Sequence, residues 1–501
     1  MNTLVKKKLT IAVCSTFLAL GTFSCQEELL DPIPRTQFSD AVVFDTPTRV
    51  DLQANAMYSF VKAGTFLGGR YQVYGDIRAD DFINRNTNGV TGLSVWNHTL
   101  TPTSANDVVT LWNAGYAAIN QINVFLAGLE ANKAKFVAPV FKADYATTTA
   151  VYYQGEAKLL RALSYYSLLQ LYARPYADGK GSKPGLPLRL RAEKDDTGND
   201  LARSSVADVY KQILLDLDDA EKLLPLTQTP AGLNNSRAHR NTAIALKTRV
   251  YLSMGDYANV VKEADKIVSA TAPFKSTTGV AHALLPNVAS VFTPGTTESG
   301  ESILAFPFTA QNAPGTQNQL GYYFSPGTLG GNGEFSLNTA PGSIYANTTA
   351  WAANDARRTS LVTKAGNDFY VTKYPTPTPF TDRAPVIRYA EVLLSLAEAR
   401  VRTAGPGDAQ ALALLNAVRG RSNPAGVYTG FSSADEFVNA ILLERRIEFL
   451  AEGLRNIDIM RFNATIPGKG TISEVPNTSP LYIWPIPQSE LLGNKLMTEN
   501  N

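Results

Sequence analysis

Of 501 residues, 44% are hydrophobic and 18% charged, the balance of a folded chain rather than a disordered one. Its 46 lysines and arginines face 44 acids, so no charge excess argues for nucleic acid or an anionic lipid surface as a partner. His98, His239 and His282 are the only histidines and stand apart in sequence; no Cys-x-x-Cys occurs, which leaves a zinc or thiol enzyme without a ligand set.

The first predicted element is a targeting segment. Lys6, Lys7 and Lys8 precede an apolar run from Leu9 to Leu20, shorter than the about 18–20 residues that span a bilayer. Ser24-Cys25 closes it and resembles the lipobox of bacterial lipoproteins, with Thr22 where leucine is usual. Residues 1–24 thus read as a lipoprotein signal peptide and Cys25 as the lipidated first residue of the mature chain. Cys14 falls in the removed run, so Cys25 has no disulfide partner. Several acyl chains on one residue make a durable anchor. A plain cleavable signal with an incidental cysteine is the alternative. Removing 1–24 leaves 43 basic residues against 44 acids.

Residues 25–45, with Pro32 and Pro34, read as a lipidated tether. An N-terminal helical part over 46–270 begins with Thr46 as N-cap and Pro47 at the first helical position, on a helix carrying Met57, Tyr58 and Val61. Val108, Trp112, Gly115, Ile119, Ile122, Leu126 and Leu129 step by three and four, which predicts a helix; residues 149–173 form a second, rich in tyrosine. A third runs over 206–224, behind a capping box at Ser205 and Asp208. Residues 243–268 read as two helices broken at Gly255-Asp256, and residues 389–422 as two broken at Gly405-Pro406-Gly407. Both look like tetratricopeptide hairpins. Between them, residues 271–385 are dense in Pro, Gly, Asn and Thr and predict a loop-rich insertion with a few short strands, Tyr374–Pro379 being an extended polyproline connection. The C-terminal helical part, 386–501, ends its periodic region in a helix over 433–462 capped by Ser433 and Glu436. The fold class is all-α, a short interrupted solenoid of helical hairpins.

Several segments, in order, resemble the SusD/RagB family of outer-membrane nutrient-uptake lipoproteins. They are Trp112, Tyr116, Ile119 and Asn123; the run from Glu156 through Arg161, Ala162 and Tyr165 to Tyr172; RVYLSMGDY at 249–257; Arg388-Tyr389-Ala390-Glu391 with Ala397-Glu398-Ala399; and LNAVRGRS at 415–422. Glu444-Arg445-Arg446 to Glu448, Glu452-Gly453-Leu454-Arg455 and Asp458 follow, then LYIWPIPQSELLGNKL with Pro485-Ile486-Pro487 and Glu490. Gln26-Glu27-Glu28 resembles the acidic signal that sends such lipoproteins to the cell surface. The resemblance implies four tetratricopeptide-like pairs with a loop-rich face. It also implies capture of a glycan, less often a peptide, at the extracellular side of the outer membrane. The partner implied is a SusC-like TonB-dependent barrel. No catalysis, cofactor or metal is implied. A surface α-helical glycoside hydrolase and a repeat scaffold for protein partners are the competing functions.

Sugars lay C–H faces on aromatic rings while their hydroxyls meet Asp, Asn, Arg or Gln. Two neighbourhoods offer such groups outside strong helical periodicity. One holds Tyr71, Tyr74, Arg78, Asp80, Asp81, Trp96 and Asn97; the other holds Tyr322, Tyr323 and Phe324. Trp96 is the leading candidate, with packing beneath a loop as its alternative. Trp112 sits on an apolar stripe and reads as core, and Trp351 and Trp484 read as structural. The acids of 444–458 alternate with arginines, which predicts helical pairs Glu452–Arg455, Arg455–Asp458 and Asp458–Arg461 rather than a glycosidase acid/base couple. Gly330–Gly333 lacks a following Lys-Ser/Thr and reads as a turn rather than a nucleotide loop.

Overall fold

The computed structural model describes residues 42–293 and 300–500. The signal peptide, Cys25 and the tether as far as residue 41 lie outside the described residues. The chain divides into two units between Asp51 and Leu52. In the first, the Arg49 N–H reaches Thr46 Oγ1 at 3.4 Å, so Thr46 caps the start of helix α1, Pro47–Val61, as its sequence predicts.

In the second unit, α2 (Arg70–Ile77) precedes a series of consecutive helices, α3 (Thr110–Asn132), α4 (Thr149–Tyr172), α5 (Val206–Leu223), α6 (Arg240–Met254) and α7 (Tyr257–Ala264), each packed on the next from α3 onward. Ser205 Oγ accepts the Asp208 N–H at 3.0 Å at the start of α5. Gly255, at φ 72°, ends α6 and lets α7 fold back. After the insertion, with its short helix α8 (Leu320–Phe324), come α9 (Tyr389–Ala404), α10 (Ala409–Ser422), α11 (Ala434–Glu448) and α12 (Arg455–Met460). Helix α9 packs on both α6 and α7, with Ala399 meeting Leu252 and Val260. The two hairpins, about 120 residues apart in sequence, are therefore neighbours, and the interrupted solenoid closes across the gap.

The insertion is loop-rich with short antiparallel strands. β1 (Phe82–Asn84) pairs with β3 (Phe335–Leu337), β2 (Ser302–Phe306) with β6 (Ala384–Arg388), and β4 (Val362–Ala365) with β5 (Asp368–Val371). Trp112, Trp351 and Trp484 are buried, as expected. Trp112 lies 5.0 Å from Tyr172, edge to face, and Tyr172 lies 5.5 Å from Trp484 in the same manner. His239 and His282, separate in sequence, stack at 5.2 Å.

One helix differs from its expected extent. The periodic run over 433–462 is two helices, α11 and α12, separated by a turn in which Ala451 and Gly453 take φ of 67° and 82°. The cause is a close crossing: a Cβ on Gly453 would lie 2.6 Å from Gln72 Cα, and one on Gly75 of α2 would collide with the Gly453 carbonyl. With the turn in place, only Asp458–Arg461 of the three expected helical pairs forms, at 2.8 Å. Glu452 instead pairs with Arg388 (2.8 Å) and Lys373 (2.7 Å), Asp458 with Arg445 (2.9 Å), and Arg455 approaches Asp80 at 3.5 Å. The charges join different elements rather than lining one helix.

Candidate functional site

The first neighbourhood, outside strong helical periodicity in sequence, begins on a helix. Tyr71 and Tyr74 lie on α2, with Arg78, Asp80 and Asp81 just beyond it. Tyr74 is enclosed, and its hydroxyl donates to Asp107 Oδ1 at 2.6 Å. Arg78 is buried and donates to Asn456 Oδ1 and Tyr482 O, both at 2.7 Å. Asp80 and Asp81 accept Arg446 at 2.8 and 2.5 Å. Burial alone would raise the Asp80 carboxyl, but Arg446 and Arg455 outweigh it and hold it below the usual range.

Trp96 closes a single helical turn, Leu93–Trp96, and is only 9% exposed. Its indole N–H donates to Phe82 O at 3.0 Å, and the Lys469 ammonium lies 5.6 Å above its ring. Tyr71 is equally covered, whereas Asn97 and Asp80 stay partly open. Enclosed rings offer no open face to a sugar, so Tyr71, Tyr74 and Trp96 support the surface from beneath.

Strand pairing unites the two neighbourhoods. Phe82 stands opposite Leu337 and Asn84 opposite Phe335, and the Phe82 ring packs 5.0 Å from Phe324 of α8. Tyr323 and Phe324 are buried, and the Tyr323 hydroxyl donates to Gln317 O at 2.6 Å. Tyr322 alone of that triplet is partly exposed. Its N–H is capped by Gln319 Oε1 at 2.9 Å and its carbonyl accepts the Asn332 N–H at 2.8 Å, so its backbone is fixed on both sides.

Beside Tyr322 stands a polar group that the sequence did not single out. The side-chain amides of Asn86 and Asn332 both donate to Glu334 Oε1, that of Asn86 at 3.2 Å. Glu334 is buried, its Oε2 has no partner among the described residues, and burial raises its carboxyl. Arg85 joins Ser336 Oγ at 2.7 Å to Asp368 at 2.5 Å. The readable signal was Asn84-Arg85-Asn86-Thr87-Asn88, a run too polar for a core strand. An open aromatic edge beside two amides and a carboxylate can take a sugar ring and its hydroxyls.

The acids of 444–458 serve another end. Asp355, Glu301, Glu444, Glu448 and Glu452 interlock with Arg357, Lys373, Arg388, Arg419 and Arg421 in a buried network of equal opposite charge. Burial would raise Glu452, yet Arg388 and Lys373 hold it low; Arg445 and Arg461 do the same for Asp458. A general acid needs the opposite shift.

Two family models match the chain in succession. The one described as starch-binding, associating with outer membrane, matches residues 29–252, and that of the SusD family matches 249–471. A SusD superfamily structure from Bacteroides fragilis is 31% identical and superposes with a TM-score of 0.79 over 91% of this chain and 100% of that one. The chain belongs to the SusD/RagB family. SusD-like protein P38 of Formosa agariphila is 23% identical over 96% of this chain and 97% of its own. A laminarin-binding SusD-like protein shares the fold at 19% identity and a TM-score of 0.68, over 91% of this chain and 99% of that one. In this SusD/RagB chain the residues that carry the family resemblance are largely the buried ties of the scaffold. Arg161 grips Asp216 at 2.7 Å, Arg249 grips Glu391 at 2.5 Å, and Arg461 grips Glu398 at 2.7 Å. No described helix is long and apolar enough to cross a membrane.

Proposed function

We propose that this SusD/RagB protein captures a glycan at the Tyr322 face, is held at the extracellular side of the outer membrane by lipid on Cys25, and passes its ligand to a SusC-like TonB-dependent barrel. The observation that carries the reading is the junction made by β1 and β3, which sets the partly exposed Tyr322 beside Asn86, Asn332 and Glu334. The laminarin-binding relative supports carbohydrate as the ligand class. Trp96 and Phe324 act from below the face, by holding Phe82 and α8. The role is capture without bond cleavage, supported by carboxylates that arginines hold ionised rather than poised to donate a proton.

The test is a glycan-array screen of the lipoprotein followed by titration of the best ligand. Tyr322→Ala is expected to weaken binding at least about tenfold, the loss of one stacked ring and its hydroxyl, with the melting temperature unchanged. Binding unaltered by Tyr322→Ala would move the site elsewhere, and product formation from the ligand would replace capture with hydrolysis. Cys25→Ser is expected to release the protein from membranes into the soluble fraction; retention would refute the lipid anchor.

A further inference from the structure

A cavity of about 320 Å³ lies between β2, β6 and the connection 373–383, away from Trp96 and Asn97. That volume is at the lower end of small-ligand pockets. Phe292, Phe308 and Tyr374 supply aromatic wall, and Asn235, Asp382 and Arg383 supply polar wall.

The charges of this wall are unevenly satisfied. Lys373 and Arg388, which also line it, are taken up by Glu452 at 2.7 and 2.8 Å. Arg383 is different: it is half-buried and has no hydrogen-bond or ion-pair partner among the described residues. Nearby, Lys62 lies 4.9 Å from the centre of the Phe308 ring, and its one hydrogen-bond partner among the described residues is the Pro307 carbonyl, at 2.9 Å, not a carboxylate. Burial lowers both cations with no countercharge to offset it. An unpaired charge held partly out of water is costly and is normally paired.

Two neutral or weakly charged groups on the wall are also unsatisfied. Asn235 is 3% exposed, and neither its amide nitrogen nor its amide oxygen has a partner among the described residues. Asp382 fixes Thr376 through Oδ1, accepting its N–H at 2.8 Å and its hydroxyl at 2.7 Å, while Oδ2 has no donor among the described residues. Arg383 lacking an anion among the described residues, an unsatisfied amide, a carboxyl oxygen lacking a donor and aromatic wall share one cavity, with Lys62 beside it at the Phe308 ring. Each is a group that an anionic, hydroxyl-bearing ring would satisfy: carboxylate to guanidinium, hydroxyls to amide and carboxyl, ring face to Phe308 or Phe292.

We propose that this cavity is a second carbohydrate site, specific for an acidic sugar of the hexuronate class, with Arg383 as the residue that holds the sugar carboxylate. Asp382 abuts Gly321, the residue before Tyr322, so the second site adjoins the first through α8. The two sites nevertheless use different side chains and select different chemistry.

The experiment is calorimetric titration of the intact protein with D-glucuronate, its methyl ester and D-glucose. Glucuronate is expected to bind saturably, and the ester and glucose at least about tenfold more weakly. Arg383→Gln is expected to abolish that preference, while Tyr322→Ala leaves it intact. Since Arg383 holds no partner among the described residues, the variant is expected to melt with wild type; the ester, tested on the unmodified chain, reads the same carboxylate contact without any mutation. Absence of saturable glucuronate binding to about 10 mM, equal binding of acid and ester, or an unchanged preference in Arg383→Gln would each overturn the proposal. Array binding lost with Tyr322→Ala is read separately and tests only the first site.

Discussion

Replacing Glu448 by glutamine takes one negative charge from a place where three guanidinium groups converge. Glu448 is fully buried and meets Arg357 at 3.0 Å, Arg388 at 3.1 Å and Arg421 at 2.5 Å. With an effective dielectric near 20, one such pair is worth about 4 kcal/mol at a charge separation of about 4 Å. Losing three attractions is offset by no longer stripping water from a carboxylate, which costs several kcal/mol. Removing one partner of a buried ion pair costs about 3–5 kcal/mol, because the remaining buried cations are left one countercharge short, and that is the loss expected here. Urea denaturation followed by circular dichroism measures it, as a lower midpoint at unchanged slope. The pH dependence carries a second check. Burial would raise the Glu448 carboxyl, but Arg421, Arg388 and Arg357 pull it far below its ordinary value. Its stabilisation is therefore present above the unfolded carboxyl value, near 4.3, and fades only as pH falls below that. The gap between wild type and Glu448→Gln should be constant from about pH 5 to 8 and narrow in acid. A loss under about 1 kcal/mol, or a gap that grows in acid, would refute the reading of this network as a balanced ionic core.

Asp76 predicts the opposite trend. Burial pushes its carboxyl up to about 8, although the Gly453 N–H donates to it at 2.8 Å. A raised carboxyl stabilises the fold below the unfolded value and loses that contribution as pH climbs through about 8. Asp76→Asn keeps an acceptor for Gly453, so it should gain on wild type by about 1.4 kcal/mol per unit of pH between 6 and 8 in urea titrations; parallel curves would disprove a protonated Asp76. Gly453→Ala adds a Cβ 2.6 Å from Gln72 Cα at φ 82°, and should cost about 2–4 kcal/mol, with thermal melting as the check.

The helices were legible because their signal is periodic. Ser205 and Asp208 mark the start of α5, and Gly255 the end of α6, through local chemistry that needs no partner. Tertiary demands were not legible. The run at 433–462 carries a helical pattern throughout, and only the approach of Gly75 and Gln72 explains why the chain turns at Gly453. Likewise i+3 spacing suggested Glu452–Arg455, whereas Glu452 is claimed by Arg388 and Lys373 from elsewhere in the chain.

The same distinction explains why the family is written more plainly than the ligand face. Arg249, Glu391, Glu398, Arg445, Asp458 and Arg461 are buried charges, and a buried charge constrains its partner in both position and chemistry. Such residues form motifs that can be read in order along a sequence. The groups around Tyr322 carry no comparable constraint from the fold. Asn86, Asn332 and Glu334 meet only because β1 and β3 pair across some 250 residues, and strands of three residues leave almost no periodicity to detect. Aromatic content pointed to the two segments that β1 and β3 join but favoured Trp96, the largest ring, over the more open Tyr322, because size is legible in sequence and burial is not. A scaffold fixed by interior ion pairs can therefore keep its fold while the loop residues above it change, and the proposed ligand face lies where the sequence is least patterned.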